Sequence, residues 1–311
     1  MKVNLSELTT EQINEGTQNL DKLSTLEVIQ LMNEEDNKVI EAVHAVLPNV
    51  AKAIDAIHLA FKKGGRLFYI GAGTSGRLGI LDAAECPPTF YTAPEMVQGI
   101  MAGGNQAVFS AVEGAEDDHE AGKKDLMDKG ITNNDVVVGV AASGRTPYVM
   151  GALLYAKKIG AATIALSCNK NAKISPLADY AIEAIVGPEV LTGSTRLKAA
   201  TAQKIILNMF STVSMVKLGK TYGNLMVDLH PSNEKLVERA RNMLMTITGK
   251  SYEEATQALN QTNLKVKPAI VMLQADVSYE TAKLAIEKSN GFVHEAVLIA
   301  LRDNSSLLKE K

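Results

Sequence analysis

Two short stretches carry residue types suited to holding a compact anion. In the first, the apolar run Arg66 to Ile70 passes into Gly71-Ala-Gly-Thr-Ser-Gly-Arg77 and straight on into a helix. The glycines let the backbone turn sharply, while Thr74, Ser75 and Gly76 bring hydroxyls and helix-start N–H groups to the positive end of a helix dipole. In the second, Ala142-Ser143-Gly144-Arg145-Thr146 follows another apolar run, and Ser143, Gly144 and Thr146 offer donors of the same kind. The first stretch also satisfies G-x-G-x-x-G, a weak sign of a dinucleotide site when it stands alone. A dinucleotide loop sets bare glycine backbone against a pyrophosphate and needs an acidic residue after the second strand to hold the ribose. Here Val97 to Ala102 runs into Gly103-Gly104 instead. Paired hydroxyls suit a single phosphate monoester, so the chemistry favoured is recognition of a sugar phosphate.

Glutamates suit proton transfer when burial tunes them. Glu85 stands among Ala83, Ala84, Cys86, Pro87 and Pro88, a setting poor in solvating partners, and Pro87 is expected to end its helix. Taken alone, it reads equally well as a helix-end surface residue. Glu116, in Glu113-Gly-Ala-Glu-Asp117, stands at the start of a helix, where acidic residues also serve the dipole. Glu116, His119 and Glu120 share a helix face at metal-ligand spacing, yet no second carboxylate-histidine set accompanies them. Solvated charge is expected there, with no metal and no cofactor.

These residues need a scaffold that brings both loops to one edge. Apolar runs at Arg66 to Ile70, Val97 to Met101, Val136 to Ala141, Ala162 to Leu166 and Tyr180 to Ile185 read as strands, with helices after Gly76, Ala115, Pro147 and Arg196. The alternation predicts an α/β fold, a doubly wound and mostly parallel five-stranded sheet, whose ligand loops follow the carboxyl ends of strands. Ahead of it, Ser24-Thr25-Leu26-Glu27 forms a capping box, and apolar spacing continues to Phe61 with Pro48 as the expected break between two helices. Leu197 to Val216 is richly apolar and should be covered on most of its surface, as in a subunit interface. A polar connector from Lys217 to Asn233 precedes three or four short helices, one opened by a second capping box at Ser251 to Glu254. The expected domains are residues 1–56, an N-terminal helical segment; 57–220, the sugar-phosphate-binding sheet; and 221–311, the connector with a small helical bundle.

Composition narrows the function classes. A chain of 311 residues, 46% hydrophobic and 22% charged with a net charge of −3, has the balance of a globular protein and no general attraction for nucleic acid or an anionic membrane. The start lacks an apolar signal core and no apolar run is long enough to span a bilayer, so a cytoplasmic protein is expected. Two cysteines, Cys86 and Cys168, have no ligand-like spacing and read as buried thiols.

Four blocks in order, Gly71 to Arg77, Asp82-Ala-Ala-Glu-Cys-Pro-Pro-Thr89, Glu113 to Asp117 and Gly187-Pro-Glu-Val-Leu-Thr-Gly-Ser-Thr-Arg-Leu-Lys198, resemble the N-acetylmuramic acid 6-phosphate etherases. Leu23 to Glu27 and Gly223-Asn-Leu-Met-Val-Asp-Leu229 extend the match to nearly the whole chain. The resemblance implies a sugar isomerase (SIS) domain and a homodimer. It also implies a carbon-oxygen lyase of cell-wall amino sugar recycling, one that splits the lactyl ether to give N-acetylglucosamine 6-phosphate and D-lactate. It makes Glu85 the proton donor and Glu116 the base. Glu189, Ser194, Thr195, Arg196 and Lys198 take a structural, pocket-edge role, with the Gly-Ser-Thr turn as a helix cap. The Gly187 to Lys198 signature is shared with glucokinase regulatory proteins, so the rival reading is a non-catalytic sensor of sugar phosphates.

Overall fold

The computed structural model describes residues 8–228 and 233–309. The stretch Val-Val-Val-Gly-Val is buried along its whole length and forms strand β3 (Val136–Val140), as a parallel strand covered on both faces requires. Its companions are β1 (Leu67–Gly71), β2 (Val97–Met101), β4 (Ala162–Ser167) and β5 (Tyr180–Glu183), each within about two residues of the sequence expectation. All pair in parallel, in the order β2-β1-β3-β4-β5. Gly71 lies opposite Val140, so the loops leaving β1 and β3 start side by side.

Helix α1 (Thr25–Lys62) opens on the expected capping box, Glu27 and Ser24 bonding reciprocally. It does not break at Pro48, which lies inside it. A proline removes one intrahelical bond, but buried Val43, Val50, Ala53, Ile54 and Ile57 on either side continue one packed face that holds the helix together. Helices α2 (Gly73–Phe90), α3 (Gly104–Phe109), α4 (His119–Asp128), α5 (Pro147–Lys158) and α6 (Lys198–Lys217) follow. The short α3 has no counterpart in the sequence reading, because Gly103-Gly104 looks like a turn; both residues take positive φ at its start. One sheet face carries Phe68, Ile70 and Val137 into a core with Leu126, Tyr148, Val149 and Leu153 of α4 and α5.

The chain divides into two compact units: Met1–Ala84 with Pro94–Ser214, and Glu85–Ala93 with Met215–Lys311. The second contains the hairpin β6 (Thr221–Tyr222) and β7 (Leu225–Met226) and the helices α7 (Glu234–Thr248), α8 (Tyr252–Gln261), α9 (Val266–Ala275), α10 (Tyr279–Lys288) and α11 (Val293–Lys309). Among the described residues five helices stand where three or four were expected, and the capping box at Ser251 and Glu254 is present. Buried Leu244, Leu259, Ile270 and Val271 form its own core. Among the described residues, no helix is long and apolar enough to cross a membrane.

Candidate active site

Strand order alone selects the place. Where neighbouring strands β1 and β3 send their connections in opposite directions, a crevice opens beyond their carboxyl ends, and ligands of doubly wound sheets bind there. Both hydroxyl-bearing loops occupy that point.

At the end of β1 the helix begins earlier than expected, at Gly73, so Thr74, Ser75 and Gly76 belong to its first turn. The Gly76 N–H donates to the Ala72 carbonyl at 3.2 Å, while the N–H groups that open a helix ahead of it have no intrahelical acceptor and lie beside the positive dipole end. Gly76 is fixed by packing: a Cβ there would meet the Met101 Cβ at 2.5 Å and the Gly71 carbonyl oxygen at 2.8 Å. Thr74 is half-buried, whereas Ser75 is buried and donates from Oγ to Oε1 of Gln203 on α6 at 2.9 Å. Gln203 was not singled out from sequence.

At the end of β3, Gly144 takes φ +66° and has the Cβ of Ala172 2.3 Å from where its own would lie, so only glycine fits. Ser143 Oγ accepts from the Arg145 N–H at 3.3 Å. Thr146 precedes α5 as its N-cap but makes no side-chain capping bond, which leaves its hydroxyl to other partners.

A cavity of about 190 Å³ connects the first loop with the acidic segment: Ala72, Gly73 and Arg77 line it together with Glu113 and Glu116. Ser75, Ser143 and Thr146 are not among its lining residues. Arg77 donates to the carbonyls of Ala107 at 2.8 Å and Val108 at 3.0 Å, holding the end of α3 against this cavity. Glu116 sits in a single 3-10 turn, Ala115–Asp117, which precedes α4. It is exposed, as is Glu85 on α2. The expectation of a desolvated Glu85 therefore fails for the single chain. Its helix does not stop at Pro87 but runs through Pro87 and Pro88 to Phe90, and this register turns Leu81, Ala84, Glu85 and Pro88 outward together. Glu120 pairs with Lys123 at 2.8 Å on an exposed face, and no group of three or more potential metal ligands occurs among the described residues.

The Gly187 to Lys198 signature proves to be a brace. Glu189 is buried and accepts from the first N–H groups of α6, those of Lys198 and Ala199, both at 2.9 Å. The cap thus comes from upstream, not from the Gly-Ser-Thr turn expected to supply it. Burial pushes the Glu189 carboxyl above its ordinary range, against the pull of those two N–H groups. Lys198, wholly buried, reaches Glu35 of α1 at 2.5 Å. On the other side of α6, Asp82 of α2 accepts from Tyr69, Asn208 and Ser211, tying α6 to α2 and β1.

Comparison with known proteins identifies the architecture. Residues 49–157 match the family described as the glucokinase regulatory protein N-terminal SIS domain, residues 113–213 the SIS domain, and residues 223–309 the C-terminal lid domain of glucokinase regulatory protein. The N-acetylmuramic acid 6-phosphate etherase of Clostridium beijerinckii is 55% identical over 295 residues, covering 95% of this chain and 97% of that one. That of Geobacillus thermodenitrificans is 56% identical over 293 residues, covering 94% and 99%. With the etherases matched from end to end at this identity, the chain belongs to the N-acetylmuramic acid 6-phosphate etherase family.

Proposed function

We infer that the protein cleaves the lactyl ether of N-acetylmuramic acid 6-phosphate, giving N-acetylglucosamine 6-phosphate and D-lactate in amino sugar recycling. The observation that carries the reading is the placement of two hydroxyl-bearing loops at the β1/β3 switch point, with Glu116 on the cavity that reaches the first of them. An ether β to an aldehyde yields to acid-base chemistry alone. The sugar ring opens, a base removes the C2 proton, lactate leaves from C3 with a proton from an acid, and water adds across the resulting C2=C3 bond, its hydroxyl to C3 while a proton returns to C2. We assign the base to Glu116 and the acid to Glu85, and the phosphate to Thr74, Ser75 and Gly76 with Ser143, Gly144 and Thr146. Incubation with N-acetylmuramic acid 6-phosphate should release lactate; binding without release would mark a sensor.

The phosphate is the principal handle in this reading. Ser75→Ala and Ser143→Ala should each lower kcat/KM by roughly 10- to 100-fold, the value of a hydrogen bond to a charged group. Unphosphorylated N-acetylmuramic acid should be a very poor substrate for the unaltered enzyme. Equal turnover of the two sugars would remove the phosphate site from the account.

The working form is a homodimer on the same proposal. Leu26, Ile29, Ile40 and Leu59 of α1 are large apolar side chains left more than half exposed, and a second copy is the simplest cover for them. Light scattering should give twice the 33.3 kDa chain mass, and Ile40→Asp should shift the mass toward one chain; a monomer at micromolar concentration contradicts the dimer. Cys86 and Cys168 are both buried and form no disulfide, which fits a reducing cytoplasm, and cell fractionation locates the protein directly.

A further inference from the structure

The Ser75–Gln203 pair contains an unsettled donor. Gln203 is 1% exposed and Ser75 8% exposed, so water does not solvate either side chain freely. Gln203 Oε1 accepts the Ser75 hydroxyl proton, while Gln203 Nε2, equally buried, meets no acceptor at all. A buried amide N–H without a partner costs free energy, and under-satisfied oxygens are better tolerated than orphaned N–H groups. With its proton committed to Gln203, moreover, Ser75 has none to offer a phosphate.

One rotation addresses both difficulties. Turning the side-chain amide over exchanges Oε1 and Nε2, groups of nearly the same size. Nε2 then faces Ser75 Oγ and donates to it, and the serine proton is released for another acceptor. A phosphate at the first turn of α2 supplies the acceptor. The resulting run of donors, amide to hydroxyl to phosphate, points one way, so each bond polarises the next.

We propose that Gln203 is a positioning residue of the phosphate loop: when phosphate is bound its amide donates from Nε2 to Ser75 Oγ and thereby directs the Ser75 hydroxyl at a phosphate oxygen. The inference rests on the reading of the first turn of α2 as a phosphate site.

Gln203→Leu tests it. Leucine fills similar volume, removes the orphaned donor and leaves nothing to orient Ser75. KM for N-acetylmuramic acid 6-phosphate and the inhibition constant for inorganic phosphate should both rise about tenfold, with kcat changed less than about twofold. The Tm should stay level or rise, because a buried unsatisfied group has gone. In a Ser75→Ala background the same substitution should change neither constant further, since the hydroxyl it orients is absent. Gln203→Met, unbranched and of equal length, repeats the measurement if leucine disturbs folding. A fall in Tm together with kcat, or a loss that simply adds to that of Ser75→Ala, assigns Gln203 to packing and overturns the proposal. Phosphate inhibition unaltered by Ser75→Ala would sink the phosphate-loop reading itself, whereas a Ser75→Ala effect with silent Gln203 variants sinks only the positioning role.

Discussion

Glu85→Ala should lose lactate release by roughly 10²- to 10⁴-fold, the usual worth of a positioned acid or base, and yet continue to exchange one hydrogen with solvent. The two carboxyls serve different bonds. Ring opening and removal of the C2 proton need only the base, so Glu85→Ala supplied with N-acetylglucosamine 6-phosphate in deuterium oxide should still incorporate deuterium at C2. Glu116→Gln should lose both exchange and cleavage. Proton NMR of the C2 position, beside a lactate assay, reads both reactions in one sample. Near-normal lactate release from Glu85→Ala would leave that residue a surface glutamate of α2, and the opposite pattern of exchange would interchange the two roles. Because both side chains are exposed in the single chain, the dry surroundings that help a carboxyl hold its proton must come from bound substrate or from a second copy.

The second large effect falls on stability. Lys198→Met should destabilise the fold by about 3 kcal/mol, because removing one partner of a buried ion pair strands the other. Glu35 keeps Lys38 at 2.5 Å, but that lysine is largely exposed and compensates little. The expected fall in Tm is roughly 6–12 °C. Replacing both partners, Glu35→Met with Lys198→Met, should recover most of the loss, since apolar residues of similar volume leave no charge behind. Burial pushes the Glu35 carboxyl up, and the bonds from Lys198 and Lys38 outweigh it, holding the group below its ordinary value of 4.5. Its contribution is therefore fully present above about pH 4.5 and disappears as pH falls through the lowered folded value. An acid-unfolding series followed by circular dichroism should show Lys198→Met losing structure at higher pH than the unaltered protein. A Tm within about 1 °C of the original would show the pair to be dispensable.

The sheet was legible in the sequence because buried parallel strands are continuous apolar runs, and Phe-Tyr-Ile and Val-Val-Val-Gly-Val can hardly be anything else. The positions of the two hydroxyl-bearing loops were legible for the same reason, as polar punctuation at the ends of those runs. Prolines misled where they were read as helix breaks. Pro48 and Pro87 each remove a single hydrogen bond, a local penalty that packing along α1 and α2 overrides. The apolar sequence neighbours of Glu85 implied burial, but a helix separates neighbours by about 100°, so Cys86 turns inward while Glu85 turns out. Gln203 and Glu189 were opaque as partners because their bonds depend on contacts absent from local pattern: Gln203 meets Ser75 across two helices, and Glu189 meets the start of α6 through a loop.

The strand order also dictates when the crevice comes into being during synthesis. Strand β1 lies between two partners that both follow it in the chain, and the Arg66–Asp135 ion pair, 2.9 Å long, ties the start of β1 to the turn before β3. Until β3 has been synthesised, β1 lacks one of its two neighbours and the second hydroxyl loop does not yet exist. Nucleation must wait for a distant segment, and closing so long a loop is the slow kind of event that governs folding rates in parallel sheets. During that interval β1 has an unpaired edge, the kind of surface on which incompletely folded chains misassemble.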